Sequence, residues 1–173
     1  GSPAQPVHTA IGQRLRAVQP HIGADEMFLA NYGDNLTDAP LDELIEDFRG
    51  RDKVAALLSV SPTHSFHVVH ERDDGLVTGI EGVAASGLRI NGGYFIFRRE
   101  IFDYIRPGEE LVDEPFERLI AEGQLIAYPH EGFWAPMDTL KDMQNLEALY
   151  ETGRPPWAVW RHVDEEPVPS TSA

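Results

Sequence analysis

The stretch Glu26-Met27-Phe28-Leu29-Ala30-Asn31-Tyr32-Gly33-Asp34-Asn35, followed by Pro40 and then Leu41, Leu44, Ile45 and Phe48, decides the fold class. The apolar run over 26–32 is short and ends on Gly-Asp-Asn, residues that favour turns, so it predicts a buried strand that breaks at 33–35. The four apolar residues after Pro40 stand at i, i+3, i+4 and i+7, the spacing of one helix face, and proline suits a helix entry. A strand, a loop and a helix in that order form one repeating unit of an α/β sheet.

The same pattern extends outward. Ile11, Leu15 and Val18 predict a short helix limited by Pro20. Val54 to Val60 predicts a strand, and Ser65 to His70 with Leu76 to Ile80 predicts a hairpin around Arg72-Asp73-Asp74-Gly75. Arg89 to Phe97 reads as a strand interrupted by Gly92-Gly93, Arg99 to Ile105 and Glu114 to Ala121 as helices, and Gln124 to Tyr128 as a strand. Met137 to Tyr150 reads as the longest helix, with Leu140, Met143, Leu146 and Leu149 on one side. Alternation of this kind predicts an α/β fold: a Rossmann-like mixed sheet, with some antiparallel strands, flanked by helices. One compact domain over 8–163 is the expectation. Residues 1–7 read as a cloning remnant and an unpacked lead, and 164–173 as a disordered tail of acidic, Pro, Ser and Thr residues.

Composition narrows the function classes. The 173 residues carry 14 basic and 29 acidic side chains, a formal charge of −15. Such a field repels a nucleic-acid backbone, and a phosphorylated small molecule would need a cation or a local arginine to approach. Without cysteine, disulfides and thiolate chemistry are excluded. No apolar run approaches the roughly 20 residues that span a bilayer, so a soluble, cytoplasmic protein is expected. Phosphate-loop, dinucleotide and nucleophile-elbow motifs are absent from the sequence.

Three segments carry candidate chemistry. In Tyr32-Gly33-Asp34-Asn35, a carboxylate just past a strand lies where α/β sheets bind ligands and could hold Mg²⁺; the same residues also make an ordinary turn. Asp138, in Gly132-Phe133-Trp134-Ala135-Pro136-Met137-Asp138-Thr139, could supply a second carboxylate or simply cap the long helix. In Ile90-Asn91-Gly92-Gly93-Tyr94-Phe95 the glycines allow a ligand close to the backbone, with Asn91 able to pair sugar hydroxyls, or they mark a β-bulge. His64, His67 and His70 are evenly spaced, but residues three apart in a strand face opposite ways, which disfavours a shared metal.

Taken together these segments resemble the glucose-1-phosphate cytidylyltransferases of the sugar-phosphate nucleotidyltransferase superfamily, from about His8 to Arg161. Arg14-Leu15-Arg16-Ala17-Val18 is similar to the family's Arg-Leu-x-x-Val helix, and Tyr32-Gly33-Asp34 with Asp38 to its Tyr-Gly-Asp-x-x-x-Asp. Ile90 to Phe95 resembles Ile-Asn-Gly-Gly-Phe-Phe, and 132–140 with Gly153-Arg154-Pro155-Pro156-Trp157 and Trp160 resembles its carboxyl-terminal signature. The resemblance implies Asp34 and Asp138 as Mg²⁺ ligands and Arg14 near the phosphates. It also implies a substrate-binding set of Tyr32, Gly33, Glu81, Asn91, Gly92 and Trp134. The implied reaction joins CTP and glucose 1-phosphate into CDP-glucose with release of pyrophosphate. Two departures qualify it. The family's glycine-rich triphosphate loop and its lysine have no counterpart in this chain, so weak nucleotide binding and turnover are expected, together with a further segment or subunit, or a homo-oligomer, to cover open sheet edges. The family's Glu-Lys-Pro is here Glu81-Gly82-Val83, which loses a cation. A non-catalytic sugar-nucleotide-binding or assembly module is the competing expectation.

Overall fold

A computed structural model describes residues 10–63 and 65–161. The expectations for residues 1–7, for His64 and for 164–173 fall outside the described residues. Two compact units emerge, and the chain passes between them repeatedly: the described residues of 1–32, 41–60 and 89–130 make the first, and those of 33–40, 61–88 and 131–173 the second.

The first unit is built on strand β6 (Ile90–Arg98), which pairs antiparallel with β1 (Met27–Asn31) on one side and with β3 (Ala55–Val60) on the other. Strand β7 (Leu125–His130) adds to β3 in parallel, giving a mixed sheet in the order β1-β6-β3-β7. Side chains alternate across a strand, so each face of β6 makes its own core. Phe95 and Phe97 stack with centroids 5.4 Å apart and join Leu15 of α1 (Ile11–Val18), Ile101 and Phe102 of α3 (Ile101–Tyr104), and Phe116 and Leu119 of α4 (Glu114–Ala121). Ile96 faces the other way and packs with Ala56 and with Phe48 of α2 (Leu41–Arg49). Helices therefore flank both faces of a mixed sheet, as the alternating pattern predicts.

Arginines and acids close the helix ends that the backbone leaves unsatisfied. Glu110 Oε2 accepts from the Ile11 amide at 2.9 Å at the start of α1. Arg98 donates to the carbonyls of Lys53, Phe48, Arg49 and Arg51, closing the end of α2, and its guanidinium lies 5.4 Å from the Phe48 ring centre.

In the second unit, β2 (Asn35–Thr37) pairs antiparallel with β8 (Trp134–Pro136), and β4 (His67–Glu71) pairs with β5 (Val77–Gly82) as the predicted hairpin. Helix α5 (Leu140–Glu151) follows β8, and the rings of Phe133 and Trp157 meet at 5.5 Å.

Three readings need correction. The run over 26–32 is not a buried strand: β1 lies at the sheet edge with Leu29 nearly half exposed, because it has one neighbour and contributes mainly Phe28 and Ala30 to the core. Asn35 belongs to a strand and not to the break before it, which is closed by Gly33 at φ +87°. The longest helix begins at Leu140, three residues after the predicted start at Met137, because Met137 is tied to Asp34 by a backbone bond.

A latch joins α2 to β7. The Tyr128 hydroxyl donates to Asp47 at 2.5 Å, and Arg51 Nε donates to the same oxygen at 2.6 Å. Burial and the bond to Asp47 push the Tyr128 phenol up to about 12, while the bonds from Arg51 and then Tyr128 hold Asp47 below its usual value. A pKa raised in the fold means stability that is fully held below the unfolded pKa and lost as pH rises through the folded one. In parallel denaturation curves, the advantage of the wild type over Tyr128→Phe should hold at neutral pH and shrink as pH climbs from 10.0 to about 12.

Candidate functional site

The ladder between β2 and β8 brings the two carboxylate residues together. Asn35 is opposite Pro136, and the Asp34 carbonyl accepts from the Met137 amide at 2.7 Å, so Asp138 is the next residue beyond the one bonded to Asp34. Residues 104 apart in sequence thus occupy neighbouring positions at one end of a two-strand ladder. Both are exposed. Asp34 Oδ1 accepts from Asn35 Nδ2 at 3.3 Å. The ladder is braced by Thr37, whose hydroxyl donates to the Phe133 carbonyl at 2.9 Å, and by the Asp38 amide, which donates to the same carbonyl at 3.1 Å.

Asp138 does not cap α5. Thr139 does: its hydroxyl accepts from the Asp142 amide at 3.2 Å, and the Asp142 carboxylate accepts from the Thr139 amide at 2.9 Å, a reciprocal capping box. The pattern Thr-x-x-Asp at 139–142 was present in the sequence as a signal for this. Asp138 is left outside the helix, on the connection from β8, with its carboxylate not committed to the helix start.

In the first unit, Tyr32 and Asn91 are joined directly. Asn91 Nδ2 donates to the Tyr32 hydroxyl at 2.9 Å, and Asn91 Oδ1 accepts from the Gly93 amide at 2.9 Å. The second bond belongs to a bulge: Leu57 pairs with Phe95 and Ser59 with Asn91, so two steps along β3 match four along β6. Gly93 sits at φ +72°, where a side chain would be strained, and Gly92 is buried beside it. The bulge reading of the two glycines therefore holds. One amide hydrogen and one oxygen lone pair of Asn91 are spent inside the protein, and the remaining pair is what it has for a ligand. Tyr32 packs edge-on against Phe95 with ring centres 5.3 Å apart, which links this pair to the aromatic core.

The other candidates are placed separately. Arg14 is exposed on α1 in the first unit. Gly33 forms the left-handed turn before Asp34. Trp134 is buried on β8 opposite Thr37, with 8% of its surface exposed. Glu81 lies on β5 and pairs with His70 Nε2 at 2.7 Å. Among the described residues there is no cluster of three or more His, Cys, Asp or Glu side chains that could hold a metal by themselves.

Sequence reasoning did not single out Arg89, and it weighed His70 only as a metal ligand. Arg89 reaches from the start of β6 across two strands, donating from Nε to the Ser59 hydroxyl at 2.8 Å, from Nη2 to the Ser59 carbonyl, and from Nη2 to the His130 carbonyl at 2.9 Å. It fastens together the carboxyl ends of β3 and β7 next to Asn91, an arrangement no local spacing announces. His70 was legible in principle, because the hairpin turn fixes which strand residues stand near Glu81.

Comparison with known proteins bears on these segments. Glucose-1-phosphate cytidylyltransferase of Salmonella typhimurium is 35% identical over 150 residues, covering 86% of this chain and 58% of that protein. The chain is a homologue of the glucose-1-phosphate cytidylyltransferases. It spans under two thirds of the length of this cytidylyltransferase relative. A mannose-1-phosphate guanyltransferase of Candida albicans is 26% identical over 137 residues, covering 74% of the chain and 37% of that protein. Among solved structures, a Bacillus anthracis protein described as a glucose-1-phosphate thymidylyltransferase, in complex with a sucrose, superposes with a TM-score of 0.63 at 20% identity. It covers 84% of this chain and 62% of that one, which establishes a shared fold. No protein-family model matches the sequence.

The cap assignment separates the two roles offered for Asp138. Thr139→Ala should cost about 1 kcal/mol in chemical denaturation through loss of the cap, whereas Asp138→Ala should leave unfolding unchanged. Equal losses from both would return Asp138 to a structural role.

Proposed function

We propose that this cytidylyltransferase homologue carries the metal and sugar-binding segments of a sugar-phosphate nucleotidyltransferase, with CTP and glucose 1-phosphate as the substrates its relatives make most natural. The observation that carries the reading is the β2–β8 ladder, which brings Asp34 and Asp138 to neighbouring positions.

The residues fit Mg²⁺. Its small, hard cation takes oxygen donors and is commonly held by one or two carboxylates, with waters and substrate phosphates completing the shell. Asp34 and Asp138, both exposed, would supply the carboxylates. When bound, Mg²⁺ offsets the charge of the phosphates in a chain whose own net charge is −15. The reaction is a displacement at the α-phosphorus of CTP: an oxygen of the sugar 1-phosphate forms the new P–O bond, the bond to the β-phosphate breaks, and pyrophosphate departs. Neither step requires a protein nucleophile, so the work of the chain is to hold and orient. Arg14 would contact phosphate, and Glu81 and Asn91 would pair sugar hydroxyls. The open outer edge of β1 supports a further strand or subunit beside it.

Calorimetric titration with CDP-glucose tests the assignment. Binding should require Mg²⁺, and Asp34→Asn and Asp138→Asn should each remove the metal dependence. The same affinity with and without Mg²⁺ would overturn the two carboxylates as its ligands.

A second reading, a non-catalytic sugar-nucleotide-binding module, is favoured by Gly82, which stands where the family's lysine is expected. Gly82 has an ordinary extended backbone with φ −63°, and an added Cβ there would meet nothing within 4 Å. Lysine can therefore be introduced without strain. If the sugar-phosphate pocket is intact, Gly82→Lys should tighten glucose 1-phosphate about tenfold through one charge-assisted contact, and an unchanged affinity would favour a decayed pocket.

A further inference from the structure

We infer that His70 is a positioning residue for Glu81, fixing one carboxylate oxygen so that the other meets a sugar hydroxyl; the inference rests on the sugar-pocket role proposed for Glu81. In the hairpin, His70 pairs with Gly79 and Val68 with Glu81. His70 and Glu81 are therefore diagonal neighbours on one face of the ribbon, close enough for long side chains to meet. They do so with His70 Nε2 at 2.7 Å from Glu81 Oε1.

The imidazole packs beside Gly79, and the backbone that carries it is tied down. Its ring lies over Gly79, where an added Cβ would sit 3.5 Å from the His70 Cδ2 atom, and the Thr78 hydroxyl donates to the His70 carbonyl at 3.1 Å. Nearby on the hairpin, Arg72 and Asp74 pair with each other in the turn at 3.0 Å, His67 faces away from His70 by strand alternation, and Glu71 follows His70 across an irregular step of the ladder. Among the described residues of the regular part of the ladder, 67–70 against 79–82, Glu81 is the only acid on the face that holds His70.

An exposed pair of this kind contributes little to folding stability. Here the two side chains are 53% and 40% exposed, so the consequence of the contact is where it holds the carboxylate. Neutral histidine with its proton on Nε2 donates to Oε1, and the imidazolium does the same with added charge. In either state a carboxylate retains acceptor sites on Oε2 for a hydroxyl. Without His70 the glutamate is free to rotate, and its ordering must be repeated at each binding event.

The test is calorimetric titration of this chain with glucose 1-phosphate, and separately with CTP, for the wild type, His70→Ala, His70→Gln and Glu81→Gln. His70→Ala should weaken glucose 1-phosphate roughly two- to tenfold, the expected cost of re-ordering one flexible side chain, and leave CTP unchanged. His70→Gln, whose amide can still donate, should restore most of the loss. Following the His70 ring by NMR, its chemical shifts should change in Glu81→Gln and on adding glucose 1-phosphate to the wild type. Weakening by Glu81→Gln with none from His70→Ala, or a His70 ring unmoved by the ligand, overturns the role of His70 alone. Glucose 1-phosphate binding that Glu81→Gln leaves intact, or no binding by the wild type at millimolar concentration, overturns the sugar-pocket reading and this inference with it.

Discussion

Strand β6 is buried on both faces and paired on both sides, and the first unit is organised around that constraint. A strand so placed must be apolar in continuous sequence, and Phe95-Ile96-Phe97 is. The stacked phenylalanines hold α1, α3 and α4 to one face, and Ile96 holds α2 to the other. The same strand cannot remain regular up to its first residue, because Gly92-Gly93 inserts extra length against β3. The bulge follows Asn91, which still pairs with Ser59, and turns the chain so that the Asn91 side chain accepts from the Gly93 amide while donating to Tyr32. The aromatic core and the Tyr32–Asn91 pair are thus set by neighbouring residues of one strand.

In the second unit the equivalent constraint is backbone pairing. Three residues of β2 and three of β8 form a short ladder, and a short ladder has little intrinsic stability. Its bracing comes from the Thr37 and Asp38 bonds to Phe133 and from the capping box that starts α5 immediately afterwards. This economy matters for chemistry. Because Thr139 and Asp142 satisfy the helix start between themselves, the charge of Asp138 is not used by the fold.

Charge gives the metal reading its physical motive. A chain with 29 acidic against 14 basic residues has no general attraction for phosphates. Several of its arginines are committed to structure: Arg98 to the end of α2, Arg89 to the ends of β3 and β7, and Arg118 to Glu109 and the Tyr104 carbonyl. On the reading proposed above, phosphorylated substrates in such a field would call for a cation, which Asp34 and Asp138 would hold.

By itself the sequence determined the α/β class, the hairpin, the strands at 54–60 and 89–97 and the helices at 11–18, 41–48 and 114–121, because spacing and turn residues are local signals that neighbouring atoms enforce. It also carried the family motifs, since those are runs of adjacent residues. Tertiary structure alone decided that 26–32 is an edge strand, since an apolar run does not reveal how many neighbours it has. It decided that Thr139 and not Asp138 caps α5, a choice between two good capping residues made by the bond that ties Met137 to Asp34. It also decided that Asp34 and Asp138 stand at adjacent positions, that Arg89 spans three strands, and that His70 faces Glu81. Each of these depends on pairing register between distant segments, which is fixed by hydrogen bonds across strands and not by any property of either segment alone.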